Sequence, residues 1–410
     1  MRATIVKRAM LLAATGLAAL VAGIGSATAW TIHVLHDFCA KGSCARSFSN
    51  AGLTIDAAGN LYGTRETDGK YKKGSVFRLS FNAGTRTWDF TVLHDFCAQQ
   101  GCSDGSEPFS APIVDVAGNI YGTTNVGGAT NEGVLYEITA SGKYKMLANF
   151  CPGGDSCPDG SQPFGLTYAG AVLGQPYDGT SPLYGSAFGQ TSGVVFEIDH
   201  ANGKWTIAGV YTFPTPFGGR CYADAVTLGN SGNLYGATEL CGDEDKGEAF
   251  VLAPSEQGWS QITHYSFDSA FEPRGQVLMD SRGDLYGVTE YGGKFGAGIA
   301  YELKPLVDTY RIKTLHQFSR SGAGPMAGLT SDSAGNFYGT TDFGGPGMGG
   351  VVFELTGKTY QQLYDFCRHG NCSTGSTPIA AVTMDNAGNL YGVTTQGGAY
   401  GNGTVFELTP

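Results

Sequence analysis

Seven residues that follow a repeated Tyr-Gly pair at one fixed interval carry the first chemical signal in this sequence. Three positions after each such Gly stand Glu66, Asn125, Phe188, Glu239, Glu290, Asp342 and Thr395. Four of the seven are acidic. A ring of carboxylates can hold Ca²⁺, a cationic group or the hydroxyls of a sugar. In an acidic protein the plainer expectation is a set of solvated loop acids. Tyr291, Phe343 and Tyr400 fall in the same loops, either as stacking surfaces for a sugar or peptide or as caps on the loops themselves.

Acid–base and metal chemistry finds less support. Of the seven histidines, His33, His36, His94, His264 and His316 fall in outermost strands, His200 in a turn and His369 in a Cys-bearing loop. No imidazole is therefore expected at the centre, where a general base or metal site would need one. Asp224 and Arg274 are the only charges expected on innermost strands near the loop face, and their opposite signs suggest a salt bridge. Arg282-Gly283-Asp284 occupies a repeated hairpin turn and reads as a chance match to an adhesion motif.

The elements that would position these residues come from an internal repeat. Asn60-Leu-Tyr-Gly-Thr returns six times, with the tyrosines at 62, 121, 184, 235, 286, 338 and 391. Their spacings run from 51 to 63 residues, close to the ~50-residue period of kelch-like blades. Each copy reads as four strands; in the second these are 112–115, 120–124, 134–138 and 144–150. The chain begins with an orphan fourth-type strand, 32–38, and ends with a third-type strand, 404–408, whose blade lacks a fourth. Pairing them completes an all-β, seven-bladed β-propeller of four-stranded blades and removes an exposed edge. Small residues such as Ala111, Gly165, Ala225, Gly275 and Ala380-Ala381 suit crowded innermost strands, and Asp-x-x-Gly-Asn segments suit tight turns. The third copy is irregular: 21 residues separate Pro163 from Tyr184, against 13 from Pro108 to Tyr121.

The segments Asn119–Ile138, Asn336–Leu355 and Asn389–Leu408, each running Asn-x-Tyr-Gly, Gly-Gly and a final strand, resemble the GloVer tandem repeat of secreted bacterial proteins. The resemblance covers most of residues 30–410. Relatives carry a variable sorting tail after the repeats; this chain stops at Pro410, two residues after its last strand, which implies release into the periplasm or medium.

Compartment is read from two further features. Residues 1–29 have a basic start at Arg2, Lys7 and Arg8, an apolar stretch and an Ala27-Thr28-Ala29 cleavage site, as a secretory signal does. Residues 30–410 then form one propeller domain. The ten cysteines are expected to pair as Cys39/Cys44, Cys97/Cys102, Cys151/Cys157, Cys221/Cys241 and Cys367/Cys372, consistent with an oxidising compartment. Gly is 64 of 410 residues, about 16% against a usual ~7%, without a collagen period. The net charge of −11, or −14 once residues 1–29 are removed, with no basic run, argues against nucleic acid and, taken overall, against anionic lipid.

The reading is a secreted or periplasmic, monomeric, non-catalytic propeller. It binds a protein or glycan through the face where the Cys loops and Gly-Gly loops converge, without a membrane span and with Ca²⁺ the one candidate cofactor. A cation-dependent lactonase or lyase using Glu239, Glu290, Asp342 and Asp224 is the enzymatic alternative, and a structural envelope protein the other.

Overall fold

The Tyr-Gly pair of each repeat is a packing device. Gly63 lies opposite Phe77 in its ladder, and a Cβ on residue 63 would stand 2.5 Å from the Phe77 ring. The same aromatic-over-glycine pairing recurs at Gly122/Tyr136, Gly287/Tyr301, Gly339/Phe353 and Gly392/Phe406. The tyrosine serves the preceding turn. Asp56 Oδ1 accepts hydrogen bonds from the backbone N–H groups of Ala58 and Asn60, each 2.9 Å, while Tyr62 donates its hydroxyl to Asp56 Oδ2 at 3.0 Å. Asp115, Asp332 and Asp385 do the same for Tyr121, Tyr338 and Tyr391. One aspartate thus ties a hairpin turn to the second strand of its blade.

The computed structural model describes residues 30–39, 52–154, 157–189, 191–214, 221–256 and 258–410. They form seven four-stranded antiparallel sheets, each with its strands in sequential order except the last. Blade I runs from Thr54 to Asp95, II from Ile113 to Asn149, III from Ser161 to Thr212, IV from Ala223 to Ser266, V from Ala270 to Gln317 and VI from Thr330 to Asp365. Blade VII takes Thr383–Met384, Leu390–Val393 and Thr404–Thr409, and its outermost strand is Thr31–Asp37 from the other end of the chain. The ring is closed as expected, with Ile32 opposite Leu408 and Val34 opposite Phe406. The signal-like segment 1–29 lies outside the described residues.

The core sits between blades rather than within them. Seven clusters of buried residues each draw on two adjacent blades. The phenylalanine that directly follows each outermost strand is the anchor: Phe38, Phe96, Phe150, Phe213, Phe267, Phe318 and Phe366 are at most 2% exposed. Each meets the glycine-covering aromatic of the next blade, as in Phe96–Tyr136 at 5.2 Å and Phe366–Phe406 at 5.3 Å between ring centroids. Burying such a ring stabilises by roughly 1.5–3 kcal/mol, repeated at every interface.

Three histidines reinforce the same seams. His36 stacks on Phe90, His94 on Tyr144 and His316 on Tyr360, at centroid distances of 3.9, 3.9 and 4.0 Å. Burial drives His36 down to about 4, against the pull of Asp37, so it packs as a neutral ring. Their role is inter-blade packing. His200 differs from expectation: it closes the third strand of blade III, Val194–Ala201, and stacks on Trp205 across the hairpin.

Blade III accounts for its irregular spacing. The extra residues form a short 3-10 turn, Ala171–Leu173, after which buried Tyr177 accepts a backbone hydrogen bond from Val116 on the blade II turn. Disulfides join Cys97–Cys102, Cys151–Cys157, Cys221–Cys241 and Cys367–Cys372 as expected. For the fifth pair, Cys44 lies outside the described residues.

Candidate functional site

The second strand of each blade delivers its ring residue to the loop face, and a backbone bond from the preceding loop holds it there. Asn125 N–H donates to Glu107 O, Glu239 N–H to Tyr222 O, Asp342 N–H to Gly324 O and Thr395 N–H to Thr377 O, at 3.0–3.2 Å. This pairing turns the ring inward. Glu239, Glu290, Asp342 and Thr395 are 7, 8, 6 and 3% exposed. The expectation of solvated loop acids is therefore corrected for Glu239, Glu290 and Asp342, whose side chains are buried, while Glu66 is half-buried.

The innermost strands enclose a central channel of about 1420 Å³. It is reached by Asn125, Phe188, Glu239, Asp224 and Arg274 of the expected site residues, and Glu66, Glu290, Asp342 and Thr395 lie outside its lining. The ring thus does not converge on one point. Its residues on blades II to IV meet at the channel mouth, while Tyr291, Phe343 and Tyr400 remain exposed.

Arg274 organises the mouth. Its Nε donates to Glu290 Oε2 at 2.7 Å, Nη2 to Glu272 Oε2 at 3.1 Å, and Nη1 to Glu239 Oε1. Tyr222 donates its hydroxyl to Glu239 Oε2 at 2.6 Å. Asp224 is not the direct partner of Arg274 that opposite signs suggested. It accepts the backbone N–H of Gly275 at 2.9 Å, and burial pushes its carboxyl up despite the nearby guanidinium. One cation among four carboxylates leaves the cluster acidic, so it suits a neutral or cationic ligand better than an anion. Among the described residues, no three His, Cys, Asp or Glu side chains are grouped to hold a metal ion.

Two ring members away from Arg274 lack such compensation. Burial, with the charge of Glu290, pushes Asp342 up to about 7, and its Oδ1 has no hydrogen-bond partner. Burial, with the charge of Glu107, likewise pushes Glu66 up to about 7.

Beside the charged cluster stands an aromatic wall. Phe164 packs on Phe109, Phe188 and Tyr222 at 5.9, 4.9 and 5.5 Å, the last stacked at 11°. Ser110 Oγ and Asn125 Oδ1, both lining the channel, are buried without a hydrogen-bond partner. Phe109, Phe164, Tyr222, Ser110 and Glu272 were not singled out from sequence. A signal was present: Phe109, Phe164, Arg274, Met326 and Ile379 each follow a repeated Pro and precede the small inner-strand residues, and all five line the channel.

Fold and site together define a closed seven-bladed propeller with a partly aromatic, acidic mouth on its loop face. The profile of the Gloeobacter/Verrucomicrobia repeat matches residues 24–188 and 177–406, and the chain belongs to that repeat family. No match was found among curated protein sequences. Among solved structures, a proposed 6-phosphogluconolactonase from Bacteroides fragilis is similar over 84% of this chain and 88% of its own, at 15% identity and TM-score 0.53. A puromycin hydrolase is similar over 85% of this chain and 50% of its own, at 12% identity and TM-score 0.52. The periplasmic gluconolactonase of Pseudomonas aeruginosa is similar over 76% of this chain and 82% of its own, at 13% identity and TM-score 0.47. These likenesses speak to the fold alone.

Proposed function

We propose that the protein is an extracytoplasmic binding propeller that takes a neutral, polyhydroxylated ligand, a carbohydrate, at the loop-face mouth of its channel. The observation that carries this reading is the Phe109/Phe164/Phe188/Tyr222 wall beside the unpartnered Ser110 Oγ and Asn125 Oδ1. A sugar ring offers a C–H face to the aromatics and hydroxyls to the unpartnered atoms. The excess of carboxylates around Arg274 disfavours sugar acids and phosphates. Four disulfides support an oxidising compartment.

The test is calorimetric titration with a panel of neutral and acidic oligosaccharides. A neutral saccharide is expected to bind, and Tyr222→Ala or Phe164→Ala to weaken it about tenfold or more, which is ~1.4 kcal/mol. Failure of every neutral saccharide, or unchanged affinity in both variants, overturns the reading. A sugar lactone is itself neutral and polyhydroxylated. Its turnover by the wild type, lost in Asp224→Asn, would replace binding by catalysis at the same mouth.

A further inference from the structure

Among the described residues, the exposed apolar side chains of the loop face are unevenly distributed around the ring. Phe295 is 57% exposed, Phe343 58%, Met348 63%, Tyr400 52% and Tyr71 41%. All five lie between the second and third strands of blades V, VI, VII and I, which closure makes four consecutive blades. Tyr71, Phe295 and Tyr400 share one repeat position, nine residues after the repeated tyrosine, where blades II and IV carry Thr130 and Glu244.

Charge follows the same division. On these loops and those leading into blades V, VI and VII, the exposed charged side chains among the described residues are five bases, Lys70, Lys72, Lys294, Arg320 and Arg368, and one acid, Asp268. Lys70 Nζ lies over the Tyr71 ring and Lys294 Nζ over Phe295, each 5.2 Å from the centroid, so charge and ring project together. The corresponding loop of blade IV instead exposes Asp243, Glu244 and Asp245.

We propose that the loop tips of blades V, VI, VII and I dock on an anionic lipid bilayer. Aromatic and methionine tips enter the headgroup boundary while the bases meet its negative charge. The protein's net negative charge does not oppose this, because charges more than about 8 Å away are screened at physiological salt. Met348, 63% exposed, offers a saccharide neither a ring face nor a hydrogen-bonding group, which favours lipid over an acidic polysaccharide. Separate tips on one face of a ring suit a soft planar surface. The aromatic wall of the mouth, Phe109, Phe164, Phe188 and Tyr222, belongs to blades II to IV, outside the docked arc.

The experiment is co-sedimentation of the oxidised full chain with vesicles of phosphatidylcholine, with and without phosphatidylglycerol. Binding is expected only with phosphatidylglycerol and is expected to weaken with salt. Lys70→Ser and Lys294→Ser should each lose about fivefold. The double substitution Phe295→Ser, Tyr400→Ser should abolish binding with an unchanged thermal midpoint, and Glu244→Ser should bind as the wild type. No sedimentation with phosphatidylglycerol at low salt, equal sedimentation without it, or indifference to these substitutions overturns the proposal. So does capture by a soluble acidic polysaccharide without vesicle binding.

Discussion

The carboxylate of Asp37 accepts a hydrogen bond from the backbone N–H of Ala399 at 2.6 Å, across 362 positions of sequence. Lys70 N–H makes the equivalent bond to Asp95 at 2.8 Å within blade I, and Gly347 N–H to Asp365 at 3.1 Å within blade VI. The strand that closes the ring therefore engages blade VII through the same contact that an ordinary fourth strand makes.

Removing this contact tests the closure. Asp37→Ala should cost about 1.5–3 kcal/mol in urea unfolding, the range for a hydrogen bond to a charged group. Asp95→Ala should cost a similar amount. Only Asp37→Ala should speed amide exchange at Leu408, because Asp37 belongs to the strand paired with Leu408 and Asp95 to a strand of blade I. Equal exchange in both variants would show that the terminal strand is held independently of Asp37.

The glycine-covering aromatics predict a steric conflict. Gly63→Ala places a Cβ 2.5 Å from the Phe77 ring and should destabilise by about 1–3 kcal/mol. Combining it with Phe77→Leu should recover part of that loss. A double-mutant cycle with no coupling would remove the packing account of the repeated Tyr-Gly pair.

Arg274 neutralises carboxylates from three segments. Arg274→Met leaves Glu239, Glu272 and Glu290 facing one another and should cost about 3–5 kcal/mol, with partial recovery on adding Glu239→Gln. Because the guanidinium sits where a cation would serve the same acids, EDTA and Ca²⁺ should leave the wild-type thermal midpoint unchanged. A midpoint that falls with EDTA and returns with Ca²⁺ would instead place a cation in the ring.

Asp342 predicts a pH dependence of stability. Its carboxyl rises from 3.8 to about 7 on folding, so the folded chain holds a proton that the unfolded chain releases between those values. Stability from this group is fully present below the unfolded value and is lost as pH rises towards 7. His36, lowered to about 4, acts oppositely: the unfolded chain binds the extra proton, and stability rises with pH through the range above 4. Comparison with Asp342→Asn isolates the first effect. The variant should gain on the order of 2–4 kcal/mol relative to wild type between pH 5 and pH 8. A pH-independent difference would refute the shift.

Much of the fold is legible along the chain. A period set by Tyr62, Tyr121 and their successors fixes the number of blades, and alternation locates the strands of the second copy and the two terminal strands to within a residue or two. The second copy's middle strands occur as expected, at Ile120–Thr124 and Val134–Ile138. The site is less legible. Asn125, Phe188, Glu239, Asp224 and Arg274 could be nominated by repeat position, but the wall of Phe109, Phe164 and Tyr222 could not be assembled from local pattern. Its members belong to three different blades.

The sequence by itself determined the repeat, the complementary orphan strands at the two ends and four of the cysteine pairs. These are local or periodic properties, and each is specified by the type and spacing of nearby residues. Tertiary structure alone decided that Glu239, Glu290 and Asp342 are buried, that Arg274 takes Glu239, Glu272 and Glu290 rather than Asp224, and that the exposed bases and aromatics among the described loop-face residues gather on four adjoining blades. Spacing places a residue within its own blade. Its neighbours around the axis, and hence its charge, solvation and partners, are set only when the blades dock.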